Sequence, residues 1–525
     1  MRKQNELRQF HAARWNEPIV MELGRPGARG QVYGQPEAVV SKTVGDTRDL
    51  IPPELVRKRS PDMPELTEFE VQRHFLHLSQ QTLGMMGISL FGTCTMKYSS
   101  KMAEAETVRA QVSETHPYQH GDTLQGTLEV IHDLDRTLRV LSGMDQFVFQ
   151  AGGGADAAYT MCAVARAYFQ AKGELDVRDE VITSVQAHPC NPATAAAAGF
   201  KVINLPLTET GYPSLEALKA AVSERTAMLM IGNPDDMGIY NPQIKEWVRI
   251  VKEAGGLSFY DHANFNGVMG KLAARELGFD ACMFMLHKTF GGAKGGGGPA
   301  VGAFGCSPEL APFLPAPVVV KVGDKYHADM DRPQSCGKIR EFWGNVPLMV
   351  RAYAWTRSLG AEGIDLASDI SVVANNYIDH KLSSIRGLQK SHPEIKKWRM
   401  EMTRWGLGPM KLDTGVGTAA AANRLADFGI DPWWMSHEPW ILDEPFTPEA
   451  GELWSKDDID QWIAAVQRIS DEAYSDPAII LNAPYNQPIS KAKGTWPGDP
   501  DRWAMTWRAY VRKHRGAELE GNTAA

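Results

Sequence analysis

The middle of the chain alternates short apolar runs with stretches of helical spacing. Its apolar runs predict buried strands at Val181–Val185, Val202–Leu205, Ala227–Ile231, Leu257–Tyr260 and Ala281–Leu286. Between Ala227–Ile231 and Leu257–Tyr260, apolar residues recur at steps of three to four, as in a helix that covers one face of a sheet. They are Ile244, Trp247, Val248 and Val251. This alternation is typical of βαβ units, so the pattern predicts an α/β fold with a mainly parallel sheet.

The two ends of the chain have different patterns. Ser455 and Asp458 form a variant capping box, which predicts a helix with apolar residues on one face at Ile459, Trp462, Ile463, Val466 and Ile469. Before residue 90 the chain is rich in Pro, Arg and Glu with little periodicity, and we expect an extended arm with short helices there. After Pro488 it becomes polar, which predicts a surface-wrapping or loose tail.

Composition narrows the class of protein. The 525 residues are 43% hydrophobic and 22% charged with a net charge of -8, as in a globular chain of two or more domains. The acidic balance argues against nucleic acid as a partner, and no apolar stretch approaches the length that spans a membrane. Six cysteines without a CxxC pair argue against a structural metal site and disulfides. With no apolar core like that of a signal peptide near Met1, we expect a cytoplasmic protein.

Candidate chemistry follows two consecutive predicted strands. Asp261 ends one, and Lys288 follows the next between His287 and Thr289, shortly before a run of glycines at 295–298. A lysine can form a Schiff base with an aldehyde, and a carboxylate can keep a pyridine nitrogen protonated. Taken singly, an Asp after a strand often caps a helix, and a lone Lys is usually a surface charge. Their coincidence predicts a pyridoxal phosphate site, with Asp261 and Lys288 at opposite ends of the ring.

Further motifs extend this prediction over most of the chain. They are Glu22–Gly27, Gly92–Tyr98, His116–Gln119, Ala187–Ala193, Asn233–Pro234, Glu253–Gly256, Gly344–Asn345, Arg351–Ala354 and Asn482–Pro484. From about residue 17 to 490, the chain resembles the lysine-bearing subunit (subunit 2, or β) of split glycine decarboxylase, the P-protein of the glycine cleavage system.

The resemblance implies an α/β enzyme of PLP-dependent transferase fold type I. We expect an N-terminal arm at 1–90, a large domain with a mainly parallel seven-stranded sheet at 91–345, a smaller α+β C-terminal domain at 346–490 and a polar tail at 491–525. The implied reaction is decarboxylation of glycine and transfer of its aminomethyl group to lipoylated H-protein. The implied assembly is a homodimer, or an α2β2 tetramer with a P-protein α subunit, with sites near subunit interfaces.

The resemblance also implies roles for individual residues. Lys288 would carry the cofactor and act as base, Asp261 would tune the ring, and His188 would stack on it, unless His188 is a core residue. Candidates for the cofactor are Thr289, Asn233 and the backbone of Gly153, Gly154 and Ala155, the last three because small residues let amides approach a phosphate. Candidates for the substrate are Thr93, Cys94 and Thr95, unless their loop is a buried turn, and His287, unless it merely packs beside the lysine.

Several positions depart from the family pattern. An amide is replaced by Asp156, Asn-Thr by Asp235-Asp236, a glycine by His262, Ser-Thr-Pro-His by Gly291-Gly292-Ala293-Lys294, and Tyr-Pro-Leu-Gly-Ser by Ser89–Thr93. Because an Asp beside a phosphate is unfavourable without a cation, Lys294 is our candidate to compensate Asp156. The departures favour a second hypothesis, a related enzyme that acts on another small amino acid or amine without a lipoyl carrier. A third, a non-catalytic scaffold, is opposed by retention of Asp261 and Lys288.

Overall fold

The computed structural model divides the chain into two compact units. One comprises Met1–Arg8, Ile88–Leu425 and Ile430–Leu481, and the other comprises Gln9–Gly87, Ala426–Gly429 and Asn482–Ala525. The residues that the structure describes are 7–30, 33–59, 61, 63–82, 87–90, 100–292, 300–431, 436, 440–489, 504 and 506–515. The domain boundaries expected at 90, 345 and 490 stay predictions.

A seven-stranded sheet forms the centre of the first unit. Its strands are β1 Gln146–Ala151, β2 Glu180–Ser184, β3 Lys201–Leu205, β4 Thr226–Gly232, β5 Leu257–His262, β6 Ala281–Met285 and β7 Gly302–Cys306. They lie in the order β1-β7-β6-β5-β4-β2-β3, and only β7 runs antiparallel to its neighbours. The predicted mainly parallel sheet is confirmed, and β2 to β6 match the predicted strands closely.

Fifteen α-helices are described along the chain. They are α1 Ala38–Val44, α2 Glu68–Gln80, α3 Lys101–Thr107, α4 Ala110–Ser113, α5 Gln125–Ser142, α6 Gly154–Lys172, α7 Cys190–Ala197, α8 Leu215–Ala221, α9 Ile244–Glu253, α10 Val346–Leu382, α11 Gly408–Thr414, α12 Thr418–Ala426, α13 Lys456–Ser475, α14 Ala478–Leu481 and α15 Trp507–Arg515. The helix predicted from its apolar face is α9, and all four of its predicted core residues are buried.

The two faces of the sheet each bear a hydrophobic cluster. Alternation along β5 places Phe259 in one cluster and Tyr260 in the other, and along β6 it places Met283 and Phe284 in the same two clusters. Helices α5 and α9 contribute to the cluster of Tyr260, and α6 contributes to that of Phe259. A sheet covered on both faces explains why its strands are continuous apolar runs.

Smaller elements complete the first unit. A hairpin pairs β8 Val318–Val322 with β9 Lys325–Asp329, and a small antiparallel sheet joins β10 Gln389–Lys390, β11 Trp405–Gly406 and β12 Pro445–Phe446. The long helix α10 is kinked at Gly360, whose φ of 63° favours glycine. At the start of α13, Ser455 accepts a hydrogen bond from the Asp458 N–H (3.2 Å), which confirms the predicted cap.

The second unit contains α1, α2 and α15. Helix α2 begins with a capping box in which Thr67 and Glu70 exchange hydrogen bonds. On the same helix, His74 and His77 both contact Glu17, at 2.6 and 2.8 Å. Helix α15 lies in the segment predicted to be a polar tail. No helix in the described part of either unit is long and apolar enough to cross a membrane.

Candidate active site

Asp261 and Lys288 lie at the same edge of the central sheet. Asp261 is the second-to-last residue of β5 and pairs with Met283 of β6. Lys288 follows β6 by three residues, its N–H donates to the Met285 carbonyl (3.0 Å), and its side chain is buried. The two strands are parallel and both end here, so the sheet brings together the acid and the amine predicted from the sequence.

The start of α7 lies beside both charged groups. Burial raises the pKa of the Cys190 thiol, the charge of Asp261 raises it further, and that of Lys288 lowers it. The Cys190 N–H donates to His188 Nδ1 (3.1 Å), which fixes the imidazole at the entrance to this helix. Cys190 and His188 therefore lie within electrostatic reach of the site, although a stacking role for His188 stays a prediction.

The Asp261 carboxylate is held by two donors. Asn191 Nδ2 donates to Oδ2 (3.0 Å), and the Ala263 N–H donates to Oδ1 (2.9 Å). Burial raises the pKa of Asp261, while His188 and these hydrogen bonds oppose the rise. A cation or an N–H donor facing this buried carboxylate would stabilise its ionised form. The site thus fits the protonated nitrogen of a pyridine ring.

The turn from β1 into α6 forms a glycine cradle. A Cβ built at Gly153 would meet nothing within 4 Å, and one at Gly154 would approach only the sulfur of Met285, at 3.6 Å. Gly153 is the N-cap of α6, and no side-chain cap hydrogen bond satisfies the first amides of this helix. The cradle, which includes Ala155, fits an anionic group such as a phosphate.

Asp156 pairs with an arginine that the sequence did not indicate. Its Oδ2 accepts from the Gly152 N–H (3.0 Å) and from Arg340 Nε (2.5 Å). Lys294, the expected cation, lies outside the described residues. Arg340 also lines a cavity of about 710 Å3 beside Gly152. The sequence did not indicate this ion pair, because its members are 184 residues apart.

Two predicted cofactor contacts connect loops of the protein to each other. Thr289 is buried, and its hydroxyl accepts from the Phe265 N–H (3.0 Å), which ties the loop after β6 to the loop after β5. The Asn233 amide donates to the Asn241 carbonyl (3.2 Å) and accepts from its N–H (2.7 Å). Both side chains therefore shape the loops of this edge, and their contact with a cofactor stays a prediction.

Asp235, Asp236 and His262 also depart from the family pattern, and their side chains have three different environments. Asp235 accepts from the N–H groups of Met237 and Ile239 (both 2.9 Å), and burial raises its pKa to about 7. Asp236 Oδ2 is buried and has no hydrogen-bond partner among the described residues. His262 does not face the pocket, contrary to expectation. It packs in the core on Tyr260, with a ring separation of 3.6 Å.

The remaining candidates flank the lysine or lie outside the described residues. His287 Nδ1 lies 3.3 Å from the Val301 carbonyl, and burial together with the charge of Lys288 lowers its pKa to about 4. Gly291 lies against Trp355, and the Gly292 N–H donates to the Leu286 carbonyl (2.8 Å). The candidates outside the described residues are Thr93, Cys94 and Thr95.

Arg404 is a buried residue of this region that the sequence reasoning missed. Its Nε donates to Thr447 Oγ1 (3.3 Å) and its Nη2 to the Asp236 carbonyl (3.2 Å). It therefore connects the small sheet to the loop after β4. The only sequence signal is an arginine within the run Met402–Leu407, where a charge needs a buried partner.

Comparison with known proteins identifies the family. Residues 139–303 match the family model "Aminotransferase class-V". A probable glycine dehydrogenase (decarboxylating) subunit 2 from Thermococcus kodakarensis is 39% identical over 515 residues, which cover 97% of this chain and 100% of the relative. Its counterpart from Pyrococcus abyssi is 37% identical over 514 residues with the same coverage. The chain belongs to the glycine dehydrogenase (decarboxylating) subunit 2 family.

Solved structures agree with this fold. A crystal structure of glycine decarboxylase (P-protein) of the glycine cleavage system superposes with a TM-score of 0.70 at 18% identity, covering 83% of this chain and 99% of that chain. The cysteine desulfurase CsdA from Escherichia coli superposes with a TM-score of 0.54 at 19% identity, covering 74% and 95%. At these identities the likeness establishes the fold.

The comparisons also decide the broader predictions. The family, the fold class, the enzyme class and pyridoxal phosphate as the cofactor are confirmed. The designation "subunit 2" of the relatives implies an enzyme that has a second kind of subunit.

Proposed function

We propose that the chain is the cofactor-bearing subunit of a glycine dehydrogenase (decarboxylating). It removes the carboxyl group of glycine and passes the aminomethyl group to a lipoylated H-protein, together with a P-protein α subunit in an α2β2 assembly. The observation that carries the proposal is the placement of Asp261 and Lys288 at one sheet edge, in a chain that its glycine dehydrogenase relatives match over 97% of its length.

Pyridoxal phosphate, when bound, supplies an electron-withdrawing ring that accepts the electron pair released by decarboxylation. Lys288 would hold it through its amine, and Asp261 would keep a proton on its ring nitrogen. Asn191 and Ala263 hold that carboxylate in one orientation. Gly153 and Gly154 leave room for the phosphate beside the first turn of α6.

Lys288 is also the group best placed to move protons during the reaction. Its side chain is buried, so water has little access to its amine. Its positive charge acts on both Cys190 and His287, which indicates that the amine lies among polar groups of the pocket. A lysine amine inside a protein can serve as the base that returns a proton to the product, and we assign this role to Lys288.

Exchange of labelled bicarbonate carbon into glycine tests the function. We expect exchange when the purified protein is combined with its α subunit and lipoylated H-protein, and loss of exchange in Lys288→Ala. The matched control is Lys219→Ala, which removes an exposed lysine of α8 paired with Glu216. A cofactor-loaded protein that gives no exchange with both partners present would contradict the proposal.

One observation favours a second candidate function. Asp236, which stands where the family has an uncharged residue, has a buried carboxylate oxygen without a hydrogen-bond partner among the described residues, and its charge acts on both Cys190 and Asp261. A substrate with an additional N–H or O–H donor would satisfy that oxygen. The second candidate is therefore an enzyme that acts on another small amino acid or amine, without a lipoyl carrier.

Spectral titration of the holoenzyme against a panel of amino acids and amines separates the two candidates. Under the first, glycine changes the visible spectrum at the lowest concentration. Under the second, a donor-bearing amine does so, and Asp236→Asn weakens its binding more than that of glycine.

A further inference from the structure

The first turn of α6 carries a negative charge where the phosphate of the proposed cofactor would bind. Asp156 lies two residues after Gly154, and its carboxylate folds back to the Gly152 N–H. A carboxylate at this end of a helix is favourable by itself, but it repels a second anion at the same place. A phosphate can therefore bind here with normal affinity only if a cation is also present.

Arg340 lies at the position that such a cation requires. A Cβ built at Gly152 would come within 2.4 Å of Arg340 Cζ and 2.6 Å of Nε and Nη1. The guanidinium therefore occupies the space next to Gly152, and this space exists only because residue 152 has no side chain. Nε is fixed by Asp156 at 2.5 Å, and within the described residues no other hydrogen bond engages the guanidinium.

The surroundings of Arg340 leave room for a ligand. Gly152 and Arg340 line the cavity of about 710 Å3, together with Gln150 and Asn345. The neighbouring Glu341 also lines it, but Lys338 pairs with that carboxylate at 2.9 Å. A guanidinium held at one nitrogen keeps its remaining N–H donors in a fixed plane, which suits the oxygens of a phosphate.

We propose that Arg340 binds the phosphate of the cofactor and that Asp156 is the positioning residue that orients it over Gly152. The proposal rests on the function proposed above and adds the residues that hold the phosphate end. Asp156, Arg340 and Gly152 then act together, because the acid aligns the guanidinium and the glycine makes room for it.

Comparison of two ligands isolates the phosphate. We would measure the affinity of each apoprotein for pyridoxal phosphate and for pyridoxal, which lacks the phosphate, by absorbance titration. Arg340→Met should weaken binding of pyridoxal phosphate about ten- to a hundredfold and change that of pyridoxal less than about twofold. Arg249→Met, the matched control, removes an exposed arginine of α9 that pairs with Glu246, and it should change neither. Equal losses for both ligands, or no loss, would overturn the proposal.

Two further variants test the arrangement. Gly152→Ala should displace the guanidinium and weaken the binding of pyridoxal phosphate as much as Arg340→Met does. Combining the two substitutions should cause no further loss of affinity. In the Arg340→Met protein Asp156 is uncompensated, so adding Asp156→Asn should restore part of the affinity. Additive losses, or no recovery with Asp156→Asn, would contradict the arrangement.

A separate readout distinguishes this proposal from the proposed function. Borohydride reduction of loaded Arg340→Met should still label Lys288, since the Schiff base does not depend on the phosphate. The 31P resonance of the bound cofactor should shift between wild type and Arg340→Met. If Lys288 is labelled in Arg340→Met but the 31P resonance and the affinity are unchanged, only the role of Arg340 is overturned. If Lys288 is not labelled in the wild-type protein, the proposed function is overturned.

Discussion

Asp261 and His262 are consecutive residues of β5, but their side chains have different surroundings. Asp261 is held by Asn191 and Ala263 at the sheet edge. His262 lies among aromatic rings, with centroids 3.6 Å from Tyr260 and 5.7 Å from Phe284. Burial lowers the pKa of His262 to about 3, so the folded protein keeps this imidazole neutral.

The buried His262 should make stability depend on pH. Its pKa is about 3 in the folded protein and 6.5 as an unperturbed group. Its contribution to the free energy of unfolding is therefore fully present above pH 6.5 and declines as the pH falls towards 3. The slope is about 1.4 kcal/mol per pH unit. Between pH 7.5 and 5.0, wild type should lose about 2 kcal/mol more unfolding free energy than His262→Phe, measured in urea. Equal losses would contradict this assignment.

Asp261→Asn should affect turnover more than cofactor binding. The amide has nearly the shape of the carboxylate but carries no charge, so it cannot stabilise a protonated ring nitrogen. We expect turnover to fall about a hundredfold or more while the cofactor remains attached through Lys288. Turnover and bound cofactor are measured on the same preparation. Wild-type turnover in this variant would remove the proposed role of the acid.

Residues of the site differ in how readily the sequence predicts them. Asp261 lies near the end of β5 and Lys288 follows β6, and the two strands are adjacent in the sheet, so the order of the elements is enough to bring these residues together. Arg340 and Asp156 are 184 residues apart, and Arg404 contacts a carbonyl 168 residues away. No local pattern predicts such long-range pairs, since they depend on how loops pack in the finished fold.

At the scale of elements, the predictable parts are those whose burial follows one regular pattern over several residues. The inner parallel strands β2, β4, β5 and β6 are covered on both faces, so most of their residues are apolar in continuous runs, and α9 shows a clear apolar face. The three strands β10, β11 and β12 have two residues each, too few for a period of two to show. The kink of α10 at Gly360 depends on one residue in a long helical stretch.

The N-cap of α13 offers a test of one predicted element. Ser455 accepts from the Asp458 N–H and donates to its carboxylate (2.7 Å). Ser455→Ala should lower the free energy of unfolding by about 1 kcal/mol, because an amide of the first turn loses its partner. Ser455→Thr keeps a hydroxyl that can both accept and donate there, and it should change stability little. Equal effects of the two substitutions on the urea midpoint would show that the cap does not stabilise the helix.

At the scale of the whole molecule, cofactor binding and folding are linked. The groups proposed to hold the cofactor come from β1–α6, the start of α7, β5 and β6, so they are assembled only in the folded chain. Pyridoxal phosphate at a hundred times its Kd should therefore stabilise the protein by about 2.7 kcal/mol. Thermal unfolding of apoprotein and holoprotein measures this, with Lys288→Ala as the control that gains less. An unchanged Tm would contradict binding to the folded site.

The most direct test of the central claim is the position of the covalent attachment. Purified protein loaded with pyridoxal phosphate is reduced with borohydride, digested and mapped by mass spectrometry. The placement of Lys288 beside Asp261 at the edge of the sheet predicts a single labelled peptide that carries the modification on Lys288, and no label in Lys288→Ala. A modification on another lysine, or the same labelling in Lys288→Ala, would contradict the account.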